Sequence, residues 1–141
     1  GLSLDQSEES FLDLYWATAC AIAYGTRHII DALNATGYDI KHIHLSGGHT
    51  ASLVLVKLYA DVTGCNVVMS DCAEPVLLGS AMLGAAALDP EGGLALASRR
   101  MAGKETIHAP DQTAKDAHDR RYAIFHKLHA HRQELDAMAV G

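Results

Sequence analysis

The alternation of apolar and polar positions divides the chain into helices joined by two short strands. From residue 7 to residue 35, Phe11, Leu14, Tyr15, Ile22, Ile29, Ile30 and Leu33 recur mainly on one side of a 3.6-residue period. This predicts one long helix, about Ser7 to Ala35. Asp5 or Ser7 is the N-cap, and Glu8 and Glu9 fall in the first turn, where carboxylates suit the helix dipole. Gly25 lies inside this helix, where it costs up to about 1 kcal/mol relative to alanine unless another element packs closely. Asn34-Ala35-Thr36-Gly37 supplies the stop. Ile40 to Leu45 then alternates with the period of a strand, placing His42 and His44 on one face. Beyond Ser46-Gly47-Gly48, residues 51–63 are apolar nearly all round except for Lys57 and Asp61, an i,i+4 pair, so this helix is expected to be largely buried. Gly64 ends it, and Asn66-Val67-Val68-Met69 has the composition of a second strand.

In the second half, Pro75 stands where proline is welcome, at the first turn of a helix running to Leu88. Gly79, Ser80, Ala81, Gly84, Ala85, Ala86 and Ala87 fill that helix with small side chains, which let another backbone approach closely. It is expected to be buried, and it falls short of the roughly 18 to 20 apolar residues that span a bilayer. Asp89-Pro90-Glu91-Gly92-Gly93 is a strong turn signal. A short helix, about Leu94 to Met101, a polar loop through Lys104 and Pro110, and a last helix, about Thr113 to Met138, complete the order. The last helix places Tyr122, Phe125, Leu128, Leu135 and Met138 on one stripe. The fold class is α/β and helix-rich. Two short strands make too little sheet to stand alone, so further strands are expected from outside this chain.

Composition narrows the function. Of 141 residues, 49% are hydrophobic and 20% charged, the balance of a soluble globular chain. A net charge of −6 argues against a nucleic-acid surface, and acidic neighbours interrupt Arg99-Arg100 and Arg120-Arg121. Cys20, Cys65 and Cys72 show no CxxC spacing and nothing resembles a secretory signal, which fits reduced thiols in a cytoplasm. Among the nine histidines, His42 with His44 and His126 with His129 and His131 are placed as zinc ligands could be. No cysteine or carboxylate stands at a convincing ligand spacing beside them, so no metal site is assigned. Ser46 with His49 lacks the G-x-S-x-G elbow of a hydrolase.

Candidate chemistry therefore centres on the strand, glycine turn and helix around Gly47 and Gly48. Paired glycines permit positive φ and let a flat ligand lie against the backbone. The helix N-terminus that follows favours an anion such as phosphate. The arrangement reads either as a plain strand-to-helix turn or as a nucleotide site at Gly47 and Gly48.

Three linked blocks sharpen that reading. Ile43-His44-Leu45-Ser46-Gly47-Gly48-His49-Thr50-Ala51-Ser52, then Tyr59-Ala60-Asp61-Val62-Thr63-Gly64-Cys65-Asn66-Val67-Val68, then Glu74 to Ala86 together resemble the C-terminal half of an FGGY-family carbohydrate kinase. The stretch Tyr24-Gly25-Thr26-Arg27-His28-Ile29-Ile30 resembles the helix before the glycine turn in the pentulose and pentitol kinase branch. Ile107, Pro110, Arg121-Tyr122, Phe125, Leu128 and His131 resemble the C-terminal extension of the same branch.

The resemblance implies a partial ribonuclease-H-like domain of the actin and hexokinase type, in which residues 1–141 are the C-terminal portion of the nucleotide-binding domain and 94–141 a helical extension. It implies ATP with Mg2+ as cofactor in the intact enzyme, and a sugar or sugar alcohol such as ribulose or ribitol bound by an N-terminal domain absent here. By position, Gly47 and Gly48 match the glycines of the adenosine motif, and Ser52 a polar or small residue near adenine. His49 and Thr50 depart from the alanine-rich turn of the family. The Gly79 to Ala87 helix matches the one at the domain hinge.

The family's general-base aspartate and second phosphate loop have no counterpart in this sequence. No residue is assigned a catalytic role, and the chain reads as a fragment, inactive alone and prone to self-association as a homo-oligomer. The alternative is a non-catalytic nucleotide-binding or oligomerisation module that retains the kinase-like shell.

Overall fold

The computed structural model describes residues 5–140; of the lead-in loop expected over residues 1–6, residues 1–4 lie outside the described residues. The chain runs α1 (Glu8–Ala35), β1 (His42–Leu45), a 3-10 turn (Gly48–Ala51), α2 (Leu53–Thr63), β2 (Asn66–Ser70), α3 (Pro75–Leu88), α4 (Gly93–Met101), β3 (Glu105–His108) and α5 (Gln112–Val140). At the start of α1 the cap is Ser7, whose side chain accepts the Ser10 amide, while Asp5 accepts from both the amide and hydroxyl of Ser7.

Three strands form the sheet, in the order β1-β2-β3. β1 runs parallel to β2, from His42 opposite Asn66 to Leu45 opposite Met69, with α2 as the crossover. β3 pairs antiparallel with the other edge of β2, from Val67 opposite His108 to Ser70 opposite Glu105. This puts a strand where a polar loop was expected through Lys104 and Pro110. Glu105, Thr106 and Ile107 are exposed. The strand is held by the open backbone edge of β2, which any sequence without proline can fill, and it carries no apolar alternation of its own.

α2 is buried as expected. Val56, Leu58, Tyr59, Ala60 and Val62 form the core with Cys20, Ala23 and Tyr24 of α1 and Val67 of β2, and Tyr122 and Phe125 of α5 pack against them. Of the apolar stripe on α1, only Ile30 is buried. Cys20, Ala23, Tyr24 and Ile30 turn inward, whereas Phe11, Tyr15, Ile22, Ile29 and Leu33 are exposed. Small Cys20 and Ala23 let α1 lie close on α2, which outweighs the larger residues of the opposite face.

α3 likewise has no buried residue, and Val76, Leu77, Leu83 and Leu88 are exposed, contrary to the burial expected of it. Its packing partner is α4, joined to it through the Asp89–Gly93 turn. In α5 only the first half of the expected stripe is used. Tyr122 and Phe125 reach the core, and every described side chain from His131 to Ala139 is exposed.

Polar contacts tie the three large helices together. The Arg27 guanidinium donates to the Asp119 carboxylate at 2.6 Å and to the Val62 carbonyl at 3.3 Å, and it lies 4.2 Å from the centre of the Tyr122 ring. Tyr122 in turn donates to Asp31 at 2.8 Å; burial, then that hydrogen bond and the charge of Asp31, push its phenol up to about 12. Asp61 accepts the Asp111 amide at 2.6 Å and so anchors the start of α5, in place of the pairing with Lys57 expected from spacing. The Tyr24 hydroxyl lies 3.1 Å from Nδ1 of buried His118. Donation to that nitrogen requires the neutral ring, and burial lowers the His118 pKa.

Two outcomes follow for stability. Arg27→Ala removes three contacts at once and is expected to cost about 2 kcal/mol in denaturant unfolding, most of which Arg27→Lys fails to restore. Because His118 binds its proton less readily folded than unfolded, its contribution is full above the ordinary histidine value of about 6.5 and is lost as pH falls below it. His118→Gln is expected to flatten the fall in melting temperature between pH 7 and pH 5.

Candidate functional site

The turn between β1 and α2 gathers all four residues singled out from sequence. β1 ends at Leu45, and Gly47 follows with φ 81° and ψ −160°, a region essentially restricted to glycine. Gly48 does not have positive φ, so the two glycines have different tasks: Gly47 makes the turn, and Gly48 leaves its surface without a side chain. Among the described residues, nothing beyond its chain neighbours and nearby helix backbone lies within 4 Å of where a Cβ at Gly48 would stand.

The turn does not lead straight into the α-helix as expected. One 3-10 turn, Gly48–Ala51, intervenes, closed by the Thr50 amide and hydroxyl, which both donate to the Gly47 carbonyl at 3.0 and 2.7 Å. Ser52 is then the N-cap of α2, its hydroxyl oxygen accepting the Leu55 amide at 3.5 Å and its carbonyl the Val56 amide at 3.1 Å. The Ser52 cap thus sets where α2 begins, and the left-handed Gly64 sets where it ends.

His49 points back over α2. Its Nδ1 is 3.1 Å from the Tyr59 hydroxyl and the two rings lie 5.8 Å apart, so the 3-10 turn is tethered to the middle of the helix. The tether was not legible beforehand, because ten residues separate the partners and no motif links them. Beside it, between α1 and α2, opens a cavity of about 200 Å3 bounded by His49, Leu55 and Tyr59 on one side and Tyr15, Thr18 and Ile22 on the other.

The histidines considered as metal ligands are distributed differently. His42 and His44 are exposed on β1, with Asn66 Nδ2 3.3 Å from His42 Nε2. α1 brings His28 between His126 and His129 of α5, each ring centre 5.1 Å from that of His28. Among the described residues no three His, Cys, Asp or Glu side chains are arranged to hold a metal ion. No helix among them is long and apolar enough to cross a membrane.

A parallel β-α-β unit with a glycine turn at its first strand end, a small mixed sheet and flanking helices are arranged as in solved sugar kinases of the actin and hexokinase type. The xylulose kinase of Rhodospirillum rubrum has this fold: it superimposes over 96% of the chain and 27% of its own, with a TM-score of 0.73 and 24% identity. Residues 1–88 match the C-terminal domain of the FGGY family of carbohydrate kinases, and the chain belongs to that family. An FGGY carbohydrate kinase domain-containing protein of Xenopus laevis is 37% identical over 138 residues, 98% of this chain and 25% of the relative. A D-ribulokinase of Saccharomyces cerevisiae is 38% identical over 88 residues, 62% of this chain and 12% of the yeast protein. The chain thus spans about a quarter of the length of the vertebrate relative.

The unequal tasks of the glycines are open to measurement. Gly47→Ala is expected to cost about 1 to 3 kcal/mol, because alanine is strained at that φ and ψ. Gly48→Ala is expected to stay within about 0.5 kcal/mol of the parent in the same denaturant titration.

Proposed function

We propose that this chain seats the adenosine of ATP in a carbohydrate kinase that phosphorylates a pentulose or pentitol such as ribulose or ribitol. The observation that carries the reading is the bare backbone surface at Gly47 and Gly48, set between β1 and the N-terminus of α2 inside the family-matched segment. A purine can lie against such a surface, and Ser52 at the head of α2 offers a hydroxyl nearby. His49, held by Tyr59, braces the turn from the opposite side.

FGGY kinases are ATP-dependent sugar kinases, in which transfer of the γ-phosphoryl group from MgATP to a hydroxyl is driven by positioning and charge stabilisation. In this reading the general base, the sugar contacts and the second phosphate loop belong to parts of the enzyme outside these 141 residues. No residue of the chain is catalytic. The exposed small residues of α3, including Ser80, Ala81 and Gly84, form the face on which the domain hinge slides as the cleft closes. Five-carbon substrates are supported by the ribulokinase names of relatives, from Saccharomyces cerevisiae to Mycolicibacterium smegmatis. A cytoplasmic setting accords with this metabolism and with three free thiols.

The exposed apolar faces of α1 and α3 also favour a second reading, a non-catalytic shell that serves as an interface. Calorimetric titration with ADP, with GDP as control and Gly48→Val beside the parent, separates the two. Saturable binding that prefers ADP and falls at least tenfold in the variant, with its melting temperature unchanged, is the expected result. Binding that is absent, equal for GDP or undiminished in the variant would overturn the adenosine reading.

A further inference from the structure

The second half of α5 stands clear of the rest of the chain. Every described side chain from His131 to Ala139 is exposed, although a helix in water owes most of its stability to the packing of one face. That half nevertheless carries such a face. Ile124, Leu128, His131, Leu135 and Met138 succeed one another at steps of four, three, four and three residues, the repeat of a helix-packing seam, over about 21 Å. All five are exposed, and the seam lies beside the face that Tyr122 and Phe125 pack on the core.

The charges along the seam select what fits it. Lys127 and Glu134 each immediately precede a leucine of the seam, Leu128 and Leu135, and so line the same flank one heptad apart. Neither has an ion-pair partner among the described residues, whereas Arg132 on the other flank is held by Asp136 of its own helix at 2.7 Å. In a parallel pair of such helices Lys127 would face Arg132 of the second copy, like charge against like. In an antiparallel pair equal flanks meet, so Lys127 faces Glu134 of the second copy and the contact is made twice. Ile124 then stands opposite Leu135, and Leu128 opposite His131. The two bodies, each tied to the first half of its own α5 through Asp119, Tyr122 and Phe125, are held at opposite ends of the pair.

We propose that two copies of this chain pair through residues 124–138 of their α5 helices, side by side and antiparallel, with Lys127 of each copy against Glu134 of the other. The occupant of the seam is thus the same helix of a second copy, whose charges complement its own only when it is reversed. The surface lies beyond residue 88, outside the family-matched segment, and its pairing is independent of the nucleotide reading.

Sedimentation equilibrium of the chain tests the pairing. A reversible dimer is expected. Leu128→Glu with Leu135→Glu should weaken it about tenfold or more, without lowering the melting temperature of the dilute chain, because both side chains are exposed. Ile22→Glu with Ile29→Glu on α1 should leave it unchanged. Lys127→Glu and Glu134→Lys should each weaken it about threefold, and the two substitutions in one chain should restore it. A monomer at the highest concentration reached, or association that survives the leucine substitutions and is lost with those on α1, would overturn the inference. So would a double charge reversal no better than the single ones, or a dimer strengthened by Lys127→Glu, as parallel helices would be.

Discussion

Everything else in the molecule is placed by the enclosure of α2. Val56 and Ala60 have no exposure at all, and the helix meets α1 and α5 on one side and β2 on the other. Because α2 is also the crossover between two parallel strands, its position fixes β1 relative to β2, and with them the turn that joins β1 to the helix. Polar ties follow the same logic. Arg27 reaches the Val62 carbonyl near the end of α2 and the Asp119 carboxylate of α5, and Asp61 holds the first residue before α5, so each long helix is pinned to the short buried one.

That arrangement separates two requirements at the glycine turn. The backbone of Gly47 adopts a conformation that costs free energy for any other residue, and the surrounding contacts keep it there: Thr50 closes the turn, Ser52 caps the helix, and Tyr59 holds His49. The rigid side of the turn therefore belongs to α2. The surface at Gly48 is left bare for whatever lies against it.

How much of this was legible depended on whether the deciding interaction was local. Helix ends were readable because their signals are local: Ser7 as a cap, Gly64 as the left-handed stop, Pro75 in a first turn. So was the burial of α2, which is apolar nearly all round. Burial elsewhere was not, since a period of 3.6 locates an apolar stripe without saying what faces it. The stripe of Phe11, Tyr15, Ile22 and Ile29 is the larger one on α1, yet Cys20, Ala23 and Tyr24 meet the core, because close approach favours small residues there. β3 had no apolar alternation to betray it; its place is decided by the unpaired edge of β2, some forty residues away in sequence. The glycine turn was found from its residues, whereas the tether from Tyr59 to His49 exists only once α2 has folded.

The strand order has a consequence for what counts as a unit. The segment matched by the family ends at residue 88, but β2, the centre of the sheet, obtains its second neighbour only at Glu105–His108, after the α3–α4 excursion. A polypeptide ending at the family boundary would leave the central strand with a bare hydrogen-bonding edge, and would lack Tyr122 and Phe125 against the core. The folding unit is thus longer than the segment that the family's domain model matches. During synthesis the three-stranded sheet stays incomplete until Glu105–His108 has left the ribosome.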